Sequence, residues 1–140
     1  MDFDPQRFLS QVADAYNSRD PEALRSFFAL DDPRFAVFED YAGVLFDGEG
    51  YGAVLEAVFD ATAEMSFEML RCDRFDDFAA IHAIQKLADK DEESGIGEAL
   101  IRATLWISNV GAAPRIVTAH FSVLPDAGAD CCLPGGCRGS

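Results

Sequence analysis

"RIVTAHFSVLP" (115–125) alternates over most of its length, with Thr118, His120 and Ser122 falling between Val117, Ala119, Phe121 and Val123. Side chains two apart on a strand share a face, so this reads as a strand with one apolar face and one face carrying an imidazole between two hydroxyls. The apolar run before it, "GEALIRATLWIS" (97–108), repeats the pattern: Arg102, Thr104, Trp106 and Ser108 share one parity, Ile101, Ala103, Leu105 and Ile107 the other. Two arrangements satisfy this. If the aliphatic face is the core, the polar set is wetted by solvent. If the polar set lines a cavity, the aliphatic face needs another cover, most simply a second subunit. A wetted face is expected to carry several Lys and Glu. This one carries Arg, Thr, Trp, His and Ser, a composition that favours the cavity wall.

Working outward, "MSFEMLRCD" (65–73) and "DFAAIHAIQKLA" (77–88) also read as strands, joined by "RFDD", "DKDEESG" and "NVGAAP", connections short enough for an antiparallel meander. The N-terminal part is different. Asp4-Pro5 and Asp20-Pro21 each place a capping carboxylate before a proline that suits the first helical position. Leu9, Val12, Ala13 and Tyr16, then Leu24, Phe27 and Phe28, follow at helical spacing. "RFAVFEDY" (34–41) is a strand with Phe35, Val37 and Glu39 on one face and Ala36, Phe38 and Asp40 on the other. A short extended piece among Gly43, Gly48 and Gly50 leads into a third helix carrying Tyr51, Val54, Leu55, Val58 and Phe59. The order predicts an α+β domain over 1–125, with helices on one face of a curved sheet, and a flexible Gly- and Cys-rich tail over 126–140.

With 25 acidic against 11 basic residues and a net charge of −14, no basic stripe exists to neutralise phosphates, so nucleic acid and anionic membranes are poor partners. A chain that is 49% hydrophobic with twelve Phe is too apolar for disorder. The first twenty residues lack a continuous apolar stretch, so a cytoplasmic protein is expected. Cys72 lies inside a strand while Cys131, Cys132 and Cys137 crowd "CCLPGGC", which is no disulfide framework. Those three thiols could hold a soft metal, act in redox chemistry, be presented for modification by a folded carrier domain, or do nothing.

The first helix with "AYNSRDPEAL", the strand "FAVFEDYAG" followed by the Gly-flanked "YGAVLEAVF", and the closing "RATLW" and "RIVTAHFS" together resemble the nuclear-transport-factor-2-like (NTF2-like) superfamily. Within it they are similar to the SnoaL-like and kinase-II association-domain branch. The resemblance covers roughly residues 5 to 125. It implies a cone-shaped, curved antiparallel sheet with the three helices packed on its concave face and a small molecule received at the open end. It also implies residues: Tyr16 matches a first-helix tyrosine that donates to a substrate oxygen, and Asp40 falls where ketosteroid isomerases have their general base. Where those enzymes have a second acid, this chain has Arg102, whose permanent charge suits an anion rather than an enolate. "R-x-T-x-W" followed by "H-x-S" is similar to the association-domain branch.

The expected function is therefore binding of a small, partly apolar molecule bearing a carbonyl or carboxylate. If catalysis occurs, it is cofactor-free isomerisation, dehydration or cyclisation, with Asp40 as base, Tyr16 and His120 on the developing oxyanion and Arg102 on an anionic group. His82, Thr104, Trp106, Ser122 and Phe38 complete the expected lining. Each has a plainer reading: Asp40 as a turn cap or as a buried ion pair with Arg102, His82 and His120 as hydrogen-bonded structural residues. The rival function is a non-enzymatic oligomerisation or ligand-sensing module, a homodimer formed through the outer sheet face.

Overall fold

The computed structural model describes residues 3–39, 44–57, 63–89, 98–110 and 113–124. Both Asp-Pro pairs start helices. In α1 (Pro5–Asn17) Asp4 Oδ1 accepts from the Arg7 amide at 3.2 Å, and in α2 (Pro21–Arg25) Asp20 Oδ1 accepts from the Ala23 amide at 3.1 Å. Each carboxylate satisfies a backbone donor that has no partner inside the helix. Between them Arg19, at φ 57°, reverses the chain.

Then come β1 (Ala36–Glu39), β2 (Val44–Phe46), α3 (Gly48–Ala57), β3 (Ala63–Arg74), β4 (Phe78–Asp89), β5 (Glu98–Val110) and β6 (Ala113–Val123). They form one curved, unclosed sheet in the order β2-β1-β6-β5-β4-β3. The C-terminal meander is as expected. The expected extended piece after Gly43 contains β2, which folds back on β1. One expectation needs correcting, since β1 runs parallel to β6 and the sheet is mixed rather than purely antiparallel. The chain between these two strands includes a helix and four further strands, ample for the crossover that parallel neighbours require. Of the expected 34–41 strand, Asp40 and Tyr41 lie outside the described residues, as do the 126–140 tail and its three cysteines.

The sheet bends at two irregularities. One lies between Met69 and Arg71 in β3, the other in β6 opposite Trp106 and Ile107, where Trp106 pairs with Thr118 but Ile107 pairs with Ile116. An extra residue in one strand bends it and locally resets its parity. That is why the adjacent Ile116 and Val117 are both buried.

The helices cover the aliphatic face. Phe8, Leu9, Val12, Ala13 and Tyr16 of α1 share one core with Ile81, Leu105, Ile107, Ile116 and Ala119 of the sheet. Asn17 fixes the end of α1: its side-chain amide donates to the Met65 carbonyl at 3.0 Å and accepts from the Met65 amide at 2.7 Å, standing in for a neighbouring strand. After α2 the chain is stitched to β6, with the Ile116 amide donating to the Phe27 carbonyl at 2.8 Å and the Ala29 amide to the Ile116 carbonyl at 2.9 Å.

The start of α3 has no room for a side chain. A Cβ on Gly48 would lie 1.8 Å from the Leu30 carbonyl oxygen, a backbone atom that cannot swing away. Gly48→Ala is therefore expected to lower stability by about 1–3 kcal/mol, read as a fall in the urea midpoint at unchanged slope. An unchanged midpoint would mean that α3 can pull back from Leu30 freely.

Candidate functional site

Toward one end the bent sheet draws away from the helices and leaves a cavity of about 110 Å³. Its wall is apolar for the most part: Val12 and Tyr16 from α1, Phe28, Leu55 from α3, and Met65, Phe67, Leu87, Ile101, Leu105 and Phe121 from the strands. Val123, which is 43% exposed, also borders it and marks the rim.

Glu39, Tyr51 and Gln85 break this wall, and Ser122 reaches its rim. Glu39 is 6% exposed, and its Oε1 accepts a hydrogen bond from the Tyr51 hydroxyl at 3.1 Å. Among the described residues this is its only hydrogen bond, and none of the ion pairs includes it. Tyr51 is itself held in a ring cluster, with centroids 5.4 Å from Phe28, 6.0 Å from Phe35 and 5.9 Å from Phe46. The Gln85 amide is also buried and, among the described residues, donates only to the Met65 sulfur, at 3.5 Å, a weak acceptor. Glu39 and Gln85 are the two buried polar residues of the described chain, and both line this cavity.

No protein-family model matches the chain, and no curated protein matches it. Solved structures do. An NTF2-like protein of unknown function from Pseudomonas putida KT2440 is 21% identical, with 88% of this chain and 86% of that one covered, at a TM-score of 0.68. A putative calcium/calmodulin-dependent protein kinase type II association domain from Thiobacillus denitrificans is 18% identical over 86% and 95%, at 0.71. A hypothetical protein with a ketosteroid isomerase-like fold from Catenulispora acidiphila, in complex with trimethylamine, is 15% identical over 85% of each chain, at 0.57. The chain has an NTF2-like fold.

In this NTF2-like cone the expected assignment of faces is reversed. The odd-numbered aliphatic residues of β5 and β6 face the helices and the cavity, and the polar set faces outward. His82, Thr104, His120 and Phe38 form one row across β4, β5, β6 and β1 on the outer face. Thr104 Oγ1 lies 3.5 Å from His82 Nδ1, and the His120 ring lies 5.6 Å from that of Phe38. Arg102 Nε donates to Ser122 Oγ at 3.1 Å on the same side, although Ser122 also touches the cavity rim. Trp106 is 45% exposed and stacks on Phe78 at 5.0 Å, which stacks in turn on Phe75 at 4.5 Å. The physical reason is the cover: the helices offer an apolar surface, and an Arg and two His turned toward it would be stripped of water without compensating partners.

Of the expected set, Tyr16 lines the cavity, with the Arg19 guanidinium stacked on its ring at 4.9 Å. Asp40 lies outside the described residues, so neither its role as base nor its pairing with Arg102 enters the geometry. Glu39, Tyr51 and Gln85 were missed. Their signal was available: Glu39 is in phase with Phe35 and Val37, and Gln85 with Ile81, Ala83 and Leu87, single polar residues on otherwise apolar faces. Cys72 is half-buried, and burial raises its thiol pKa, the opposite of an activated nucleophile. Among the described residues no group of three or more His, Cys, Asp or Glu could hold a metal ion.

Replacing Tyr51 with Phe removes the one donor to a buried carboxylate. A loss of about 1–3 kcal/mol in unfolding free energy is expected. A variant as stable as the parent would show that the bond contributes nothing to the fold.

Proposed function

We propose that the protein binds a small molecule inside the cone, with Glu39 and Tyr51 forming the polar end of the site. The observation that carries this reading is a carboxylate more than nine-tenths buried, hydrogen-bonded among the described residues on one oxygen only, at the wall of a largely apolar cavity. Burying such a group costs stability, and polar groups that break the pattern of a core collect at functional sites. Apolar voids of roughly 150 Å³ take up benzene, so 110 Å³ suits a compact ligand. The neighbour of the same fold in complex with trimethylamine is consistent with an occupant of that size.

The test is a ligand-observed NMR screen of compounds of about six heavy atoms or fewer, a size range set by the cavity, repeated on Leu87→Trp. Leu87 lines the cavity but is only half-buried, so the added bulk enters the open space. Hits should vanish in the variant; hits that persist would place the binding site elsewhere.

Enzymatic proton transfer is the second reading. Within the described residues Glu39 is the carboxylate able to act as base on a cavity ligand, while the Arg102 and His120 assigned to anion and oxyanion binding stand on the opposite face. Isomerisation, dehydration or cyclisation would then run on Glu39, with Tyr51 hydrogen-bonded to it and Tyr16 on the wall of the same cavity, and Glu39→Gln would abolish turnover without abolishing binding.

Self-association is supported by a separate feature, the exposed rings of Phe38, Phe75 and Trp106 together with Leu70 on the outside of the sheet. The occupant we assign to this face is a second copy of the chain, in keeping with the likeness to a structure called an association domain. Light scattering should give a dimer for the parent and a monomer for Trp106→Glu. A monomeric parent, or a variant that stays dimeric, sinks the assignment.

A further inference from the structure

We propose that the ligand class of the cone is a small organic cation, a tertiary or quaternary ammonium of about five heavy atoms, sized by the cavity. The inference rests on the cavity being the binding site, and it departs from the carbonyl- or carboxylate-bearing ligand expected from the sequence. Three observations carry it.

The first is charge. Glu39 brings a carboxylate into the wall, and no Lys, Arg or His is among the described residues that line the cavity. Among the described residues Glu39 has a hydrogen bond from Tyr51 but no counter-charge, and a buried carboxylate gains most from a cation placed against it. The chain's net charge of −14 adds a field that draws cations and repels anions.

The second is the character of the remaining wall. Phe28, Tyr51, Phe67 and Phe121 line the same cavity as Glu39, and Tyr51 both donates to the carboxylate and presents its ring. Aromatic rings attract alkylated ammonium groups through the negative potential on their faces, while the alkyl substituents satisfy the apolar wall.

The third is a shortage of donors. A carbonyl or carboxylate ligand needs N–H or O–H groups pointing at it. The Tyr51 proton is committed to Glu39 and the Gln85 amide donates to the Met65 sulfur, while the Ser122 hydroxyl, which accepts from Arg102 Nε, reaches only the cavity rim. A quaternary ammonium needs no hydrogen-bond partner at all.

The experiment titrates the full chain with tetramethylammonium chloride and, separately, with tert-butyl alcohol, a neutral molecule of the same size and shape, following backbone amide shifts by NMR against a sodium chloride control. Tetramethylammonium should shift amides of β1, β5 and β6 with an affinity at least about tenfold tighter than the alcohol. Glu39→Gln should erase that preference, whereas Glu22→Gln, which removes the same charge from an exposed position away from the cavity, should retain it. Equal binding of the two probes would overturn the cation assignment and leave the cavity as a binding site. No shifts from either would overturn both. Cation preference that survives in Glu39→Gln would remove Glu39 as the counter-charge and with it the proposal. Should Glu39→Gln fail to fold, the comparison of the two probes on the parent chain still decides.

Discussion

A bent sheet with one aliphatic face has to hide that face, and in this chain the cover is α1, α3 and the segment after α2. Everything else follows from that pairing. Leu9, Ile81, Leu105, Ile107, Ile116 and Val37 are almost completely removed from solvent by it. Each large aliphatic side chain so buried contributes about 1.5–3 kcal/mol relative to an exposed one. The opposite arrangement would turn Arg102, His82 and His120 toward the helices, and each buried donor left without a partner costs about 1–3 kcal/mol, more where it is charged. Gain on one side and penalty on the other have the same sign, so the parity of the meander is decided without competition. Asn17 then fixes where the cover sits, since its amide satisfies both backbone groups of Met65 at the edge strand.

The cavity is a consequence of bending rather than of missing side chains. The irregularities in β3 and β6 curve the sheet, and a curved sheet cannot remain in contact with straight helices along its whole length. Where the two part, the wall is still made of core-type residues, so a space that water would fill reluctantly is left beside Glu39 and Gln85. Had that end been filled by two more aliphatic side chains, the core would have gained stability and lost its polar groups. Their presence is a local violation of the pattern that the rest of the core obeys.

Much of the fold is legible in the residue order. Asp4-Pro5 and Asp20-Pro21 are local signals with a local cause, a carboxylate on free amides, and tertiary packing had no reason to override them. The period-two runs and short connections likewise led directly to the meander. The direction of the alternating faces is different, because periodicity separates two faces without saying which is inside. The absence of Lys and Glu from the polar row favoured a cavity wall, yet the row avoids those residues on the outside of the sheet, where Trp106 stacks on Phe78 and His120 lies against Phe38. The better indicator was the minority residue. A charged side chain in phase with Phe35 and Val37 has to be either an error of assignment or a buried functional group, whereas a Thr or His among other polar residues carries no such tension.

The two surfaces of interest are not independent, because β1 belongs to both. Within four residues it sends Val37 and Glu39 inward and Phe38 outward, and it is held between the parallel β6 and the short β2. Phe38 pairs with His120 and Glu39 with Phe121, so the outer row and the cavity wall are consecutive positions on the same two backbones. A strand this short has few ladder bonds to resist displacement, and its position is secured on the inside by Tyr51 gripping Glu39 from α3. A substitution that loosens that grip therefore bears on the outer face as well. Reading association and ligand binding in the same variant is consequently more informative than reading either alone: a change at Glu39 that alters only the cavity, with the Phe38–His120 contact intact, shows that β1 is fixed by its neighbours in the sheet rather than by the helix beneath it.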